Sequence, residues 1–327
     1  MKTEQRLQDV PWALLYEADC RDIELTDLPG SEPVHTIICD PPYGIEYMLH
    51  PWDRNPDSLR SHIWAHLGTL LRPGGYLVVF SGHTTVYQMG EAIRSAGFEM
   101  RGFYAWLHPN ATLRNPNIGP MIAKERGDMD AAAVFDGFYP AVKGVLEPII
   151  VARKPLSETT QMDNLIKHRT GAVNLKGAQV AGRLPSNLIM TEPVEGTEAC
   201  AELFIVPKPK TTEREAGLDH LPTRLLHRCN DDGIGRRETK WAPTQRKNSV
   251  ITVKPVELMA HLVRLHSAPG QVVFDPFMGS GSTGCACAVT GRRFVGSDSD
   301  PVAVEIADAR VRHWYDTHQP ASPPRIQ

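Results

Sequence analysis

Two stretches of the chain carry residue types whose spacing could do chemistry. The first is Asp40-Pro41-Pro42-Tyr43-Gly44, which ends the apolar run His35 to Cys39. Two consecutive prolines fix the backbone and offer no N–H donors, so the Asp40 carboxylate and the Pro41 carbonyl can converge as acceptors on the two protons of one amino group. Tyr43 adds a flat face on which an aromatic ring can stack. The second stretch, Gly279-Ser280-Gly281-Ser282-Thr283-Gly284, matches G-x-G-x-x-G, follows a predicted strand and opens a predicted helix. Glycines there let the backbone turn tightly and lie against a nucleotide, and an acid at the end of the next strand, Asp298 or Asp300, is placed to bind a ribose hydroxyl pair. Alone, either stretch is also a plain turn, with Asp40 as its cap. Together, at strand ends, they describe a site that holds a nucleotide beside an amine.

These motifs need elements to position them. Ala13 to Cys20 reads as a short strand, and His35 to Cys39 as a buried one. Ser58 to Leu71 has helical spacing (Leu59, Ile63, Leu67, Leu70, Leu71) and is closed by Arg72-Pro73-Gly74-Gly75, after which Tyr76 to Phe80 is a strand. A helix over Thr84 to Ala96, a strand over Phe98 to Leu107, a Gly- and Pro-rich excursion and a strand from Val145 to Val151 follow. The pattern returns with a helix opened by Pro255, strands Gln271 to Phe274 and Arg293 to Gly296, and a last helix opened by Asp300-Pro301. Alternation of this kind predicts an α/β domain with helices on both faces of a mixed, mostly parallel sheet.

In between, prolines and glycines interrupt the periodicity, and the division expected is 1–155, an insert at 156–253, 254–317, and a tail at 318–327. The insert is rich in cations, among them Lys208, Lys210, Arg236, Arg237, Lys240, Arg246 and Lys247. It is therefore a basic module, in a chain whose 35 Lys plus Arg and 38 Asp plus Glu leave a net charge of −3. A polycation that coats nucleic acid is excluded; DNA binding must come from a local basic surface.

The chain is 41% hydrophobic and 22% charged, which excludes wholesale disorder. Charged or polar residues break every apolar run before the roughly 18 residues of a membrane span, and the first ten residues show no signal-peptide core. The expectation is a cytoplasmic protein without membrane contact. The six cysteines form no C-x-x-C pair and none follows a proline, which disfavours a Pro-Cys nucleophile of the kind that attacks carbon 5 of cytosine. No H-E-x-x-H is present, and no metal site is expected.

The DPPYG stretch, followed far downstream by VKPVELMAHLVRLHSAPGQVVFDPFMGSGSTG, resembles the β-group DNA amino-methyltransferases, which make N6-methyladenine or N4-methylcytosine. YEADC, RPGGYLVVF, EPIIVARKPLS and GRRFVGSDSDPVAVEIADAR extend the likeness to phage-type or prophage-type members over most of the chain. The chain departs from the family pattern in carrying Asp298 where Glu is usual, and Val250-Ile251-Thr252 where His-Pro-Thr is usual.

The resemblance implies a methyltransferase fold with a seven-stranded sheet and permuted motif order, the catalytic motif preceding the cofactor motif. It implies that Asp40, Pro41, Pro42 and Tyr43 are catalytic, and that S-adenosylmethionine is held by Asp19, Asp40, Lys254, Asp275, Phe277, Gly279, Ser280, Gly281, Thr283 and Asp298. Asp19 would lie near its adenine, Asp298 on its ribose and Lys254 near its carboxylate end. Double-stranded DNA would be the partner, bound through the basic insert. Asp in the first motif position leans toward adenine, because many N4-cytosine enzymes carry Ser there. Cytosine N4 stays as the alternative. A DNA-binding protein on a degenerate methyltransferase fold is the more distant reading, disfavoured because both motifs are intact. A nicotinamide-dependent dehydrogenase would explain the Gly-rich loop and leave DPPYG unexplained. A homodimer and a restriction partner are both left open, as is the recognition sequence, which depends on loop conformations that composition does not fix.

Overall fold

The computed structural model describes residues 3–6, 12–47, 50–113, 115–195, 204–225 and 245–318. Its first half runs β1 (Thr3–Arg6), β2 (Ala13–Glu17), β3 (Val34–Cys39), α1 (Ser61–Thr69), β4 (Leu71–Phe80), α2 (Val86–Ser95), β5 (Glu99–Leu107), α3 (Ile118–Arg126), α4 (Met129–Val134) and β6 (Leu146–Arg153). The middle carries α5 (Gln161–His168), β7 (Leu188–Met190), β8 (Phe204–Ile205), α6 (Thr211–Arg214), β9 (Arg224–Leu225) and β10 (Gln245–Arg246). The last part is α7 (Val256–His266), β11 (Val272–Asp275), α8 (Ser282–Thr290), β12 (Arg293–Asp298) and α9 (Pro301–Thr317).

Among the described residues, ten strands form one sheet in the order β1-β2-β12-β11-β3-β4-β6-β5-β7-β8. Its centre is the expected seven-stranded arrangement: β2, β12, β11, β3 and β4 are parallel, and β6 runs antiparallel between β4 and β5. Three strands beyond the expected seven extend it, with β1 antiparallel at one edge and β7 and β8 parallel at the other. The stretch 156–253, expected as a separate module, is in this respect joined to the sheet. Ala105 N–H bonds the Asn187 carbonyl (2.8 Å), and Asn174 N–H bonds the Leu265 carbonyl at the end of α7 (2.7 Å).

Helices cover both faces because the central strands are apolar on both. Ile38, Val78, Val273 and Phe294 pack against α7, α8 and α9, while their neighbours Ile37, Leu77, Val79 and Phe274 pack against α1 and α2. This two-residue alternation within near-continuous apolar runs is what a doubly covered parallel sheet demands. Pro73 and Gly75, expected in a closing turn, lie inside β4, whose pairing with β3 shifts register between Val34 and Thr36. The excursion after β5 holds α3 and α4: Asn117 caps α3, and Asp128 caps α4 by accepting from Ala131 N–H (2.9 Å). No helix among the described residues is long and apolar enough to cross a membrane.

Candidate active site

Strand direction brings the chemistry to one edge of the sheet. In parallel neighbours all carboxyl ends lie together, so Asp298 at the end of β12, Asp275 at the end of β11, Asp40 after β3 and His108 after β5 share one rim. β6 is antiparallel, so its first residues reach the same rim, and Glu147 lies across from Trp106 near the end of β5. β3 and β11 are hydrogen-bonded neighbours, with Thr36 opposite Val273 and Ile37 opposite Phe274. The DPPYG turn and the Gly-rich turn, more than half the chain apart, are thereby side by side.

Asp40 is the centre of a recessed charge cluster. Lys254 Nζ donates to Asp40 Oδ2 (2.5 Å) and lies 3.2 Å from Glu147 Oε1. Tyr43 Oη lies 2.6 Å from Asp40 Oδ1 and 2.8 Å from Glu147 Oε1, so its single proton chooses between two carboxylates. Glu147 Oε2 is 3.2 Å from His108 Nε2. The side chains of Lys254, Asp40 and Glu147 are only 11%, 17% and 21% exposed, so each charge depends on the others. Burial pushes the Asp40 pKa up, against the pull of Lys254. Burial also works to raise Glu147, yet the Lys254 ammonium and the His108 hydrogen bond outweigh it and hold Glu147 at about 2. For Lys254, burial opposes the charge, and the facing carboxylates overcome it and raise the pKa. The ammonium also sits 4.8 Å from the centre of the Phe80 ring.

The loop after Tyr43 is held by Asp53, whose buried carboxylate accepts from the backbone N–H groups of Gly44 (2.8 Å), Ile45 (3.1 Å) and Tyr47 (2.7 Å). The Ser58 hydroxyl donates to the Pro42 carbonyl (2.5 Å). The DPPYG turn is thus fixed from below, independently of the charge cluster.

The Gly-rich turn follows the same logic. Asp275 accepts from Phe277 N–H (3.0 Å) and from the Thr283 hydroxyl (2.5 Å), and burial lifts its pKa to about 7. Asp298 accepts Gly279 N–H (2.8 Å) and Asp300 N–H (3.0 Å), and burial raises its pKa too. Gly279 (φ +49°) is uncrowded, with only Val250, at 3.6 Å, within 4 Å of where a Cβ would stand. Gly281 (φ +77°) would set a Cβ 3.0 Å from Ala307, and Gly284 one 2.7 Å from Phe294 and Val311. One glycine leaves room for a ligand, and the other two let helix pack on strand and helix. Ser280 is held from below by Arg310, fully buried, whose Nη1 donates to the Ser280 carbonyl (2.6 Å) and hydroxyl (2.9 Å).

The remaining candidates divide. Phe277, just before the Gly-rich turn, is half-buried, and Pro41 is buried. Asp19 caps the turn Cys20–Asp22 and binds Arg21 through Nε (2.9 Å) and Nη2 (2.6 Å), an interaction that lowers its pKa. Lys254 places its ammonium on Asp40 and Glu147. In the insert, Lys208 and Lys210 are exposed, Arg246 is half-buried opposite Arg224, and Lys247 is engaged by Asp219 (3.2 Å). Arg236, Arg237 and Lys240 lie outside the described residues. Sequence reasoning missed Glu147, His108, Asp53 and Arg310. Glu147 and His108 had one faint signal, a polar residue bordering an apolar strand; only the reversal of β6 turns it into a site residue.

A parallel sheet in which a strand ending in an amine-accepting Asp-Pro-Pro-Tyr lies beside one ending in a nucleotide-type Gly-rich turn defines an α/β group-transfer enzyme. The chain belongs to the N6/N4 DNA methylase family, whose model, described as DNA methylase, matches residues 34–309. It is similar to the Type II methyltransferase M.HindIII of Haemophilus influenzae, 23% identical over 322 residues that cover 86% of this chain and 90% of that protein. A shorter stretch of 66 residues, 20% of this chain and 18% of that protein, is 33% identical to the Type II methyltransferase M.HinfI of the same species. Among solved structures, the M1.HpyAVI–SAM complex matches with a TM-score of 0.52 at 20% identity, over 91% of this chain and 98% of that one. The cytosine-N4-specific PvuII DNA methyltransferase matches with a TM-score of 0.52 at 14% identity, over 93% and 91%. At these identities the structural likeness speaks for the fold alone.

Proposed function

We propose that this protein transfers a methyl group from S-adenosylmethionine to the N6 amino group of adenine in double-stranded DNA. The observation that carries the reading is the pairing of β3 with β11, which sets Asp40 beside the Gly-rich turn. The residues present fit the cofactor: Gly279 is crowded by no backbone and has only Val250 near its Cβ position, and the Asp298 carboxylate stands at the end of the next strand. Asp298 would hold the ribose, Phe277 and Gly279 would line the rest, and Ser280, Gly281 and Thr283 would shape the turn from beneath. When bound, S-adenosylmethionine supplies a methyl carbon on a cationic sulfur, and the C–S bond breaks with its electron pair left on sulfur.

What this chain must supply is a competent nucleophile. An exocyclic amine delocalises its lone pair into the ring and attacks poorly. Asp40 and the Pro41 carbonyl, accepting both amino protons, draw the nitrogen toward sp3 geometry and stabilise the positive charge it gains. The methylated ammonium is strongly acidic and loses its proton to water without a dedicated base. Inside a duplex the amine is out of reach, so the base flips out at a cost of a few kcal/mol, offset in part by stacking on Tyr43. Adenine is favoured over cytosine by Asp40 in the first motif position. The exposed Lys208 and Lys210 support contact with DNA phosphates.

Asp40→Ala tests the reading. Its hydrogen bonds strengthen as methyl transfer begins, so the variant loses nearly all single-turnover methyl transfer while keeping cofactor and DNA affinity. Lys254 retains Glu147 as its partner, which limits the damage to folding. Full turnover in Asp40→Ala removes the catalytic assignment.

A further inference from the structure

The two donors that occupy Asp40 in the free enzyme have a second acceptor in common. Lys254 Nζ and Tyr43 Oη, bound to Asp40 Oδ2 and Oδ1, lie 3.2 and 2.8 Å from one other oxygen, Glu147 Oε1. One donor on each oxygen leaves Asp40 acceptor sites, but an ammonium on Oδ2 competes with an incoming amino group and repels the positive charge that its nitrogen gains. We infer that Glu147 is a positioning residue for methyl transfer: as the target amine enters, Glu147 Oε1 takes over the Lys254 ammonium and the Tyr43 hydroxyl, and Asp40 is freed to accept the amino protons. The shift needs little movement, because both donors already stand within reach. Glu147 is steadied for it through its other oxygen, which lies 3.2 Å from Nε2 of the buried His108. Charge favours the same direction, since Glu147 is held ionised while burial works against the charge on Asp40. Lys254, in this account, holds the place of the substrate amine until DNA arrives.

The inference rests on Asp40 as the acceptor for the amine, and the test separates the two. Single-turnover methyl transfer to unmethylated duplex DNA is measured at saturating cofactor for Glu147→Gln, Glu147→Asp, Lys254→Met, Lys254→Met with Glu147→Gln, and Asp40→Ala, with a thermal midpoint for each. Glu147→Gln keeps an acceptor and loses the charge, so Lys254 stays on Asp40: the rate falls about tenfold or more while the affinities for DNA and cofactor, read by separate titrations, move less than about threefold. Glu147→Asp recovers part of the loss. In the Lys254→Met background the same Glu147→Gln change costs less than about threefold, because the ammonium to be moved is gone. A wild-type rate in Glu147→Gln overturns the inference, and so does an equal loss with and without Lys254. Should Glu147→Gln fail to fold, Glu147→Asp carries the same cycle. Full turnover in Asp40→Ala instead overturns the reading of Asp40 itself, whereas an inactive Asp40→Ala beside a fully active Glu147→Gln removes only the hand-over.

Discussion

Asp275 shows how one buried carboxyl ties the site to stability. Its folded pKa of about 7 lies above the ordinary 3.8, because burial disfavours the charge more than Thr283 and Phe277 favour it. The folded chain therefore keeps a proton that the unfolded chain has released between pH about 4 and 7. Stability from this group is present below that window and is lost as pH rises through it. Asp275→Asn, uncharged throughout, should compare more favourably with the wild type at pH 8 than at pH 5, as read from denaturant midpoints. An identical difference at both values would show Asp275 to be ionised in the fold. At this scale Asp40 and Asp298 were legible in the sequence, because each ends an apolar run and precedes turn residues. Glu147 was not, since its role depends on the direction of β6, which no local pattern encodes. Asp53 acts through three amides that only the folded loop brings together.

At the scale of elements, the Gly-rich turn and α8 divide their glycines between binding and packing. Gly279→Ala meets only Val250, at an ordinary 3.6 Å, although its φ of +49° makes the substitution strained, at about 1 kcal/mol. Gly284→Ala presses a methyl against Phe294 and Val311 at 2.7 Å and should cost about 1–3 kcal/mol in overpacking. Cofactor titration and thermal melting should therefore rank the two oppositely: Gly279→Ala loses more affinity, Gly284→Ala more stability. The same ranking by both measurements would contradict the division. Helices and strands of the α/β core were readable because two-residue and helical periodicities are strong where both faces of a sheet are covered. The helices α3 and α4 were hidden among glycines and prolines, and β7 and β8 are too short to carry a periodicity, so the pairing of β7 with β5 and of β8 with β7, rather than local sequence, defines them.

For the whole molecule, the net charge of −3 leaves DNA attraction to local cations. Neutralising Lys208 and Lys210 should weaken DNA binding and flatten its dependence on log salt by about 0.9 per phosphate contact removed. Lys247→Ala should leave the slope unchanged, because that ammonium is already engaged by Asp219. Filter binding across a salt series decides both; an unchanged slope in the Lys208/Lys210 variant would show those lysines to be merely solvated. The central claim, methyl transfer to adenine N6 at the β3–β11 rim, is tested most directly by modified-base sequencing of DNA from cells expressing the protein, beside cells expressing Asp40→Ala. The account predicts N6-methyladenine at a defined site with the wild type and none with the variant. N4-methylcytosine in its place, or no modified base at all, would contradict it.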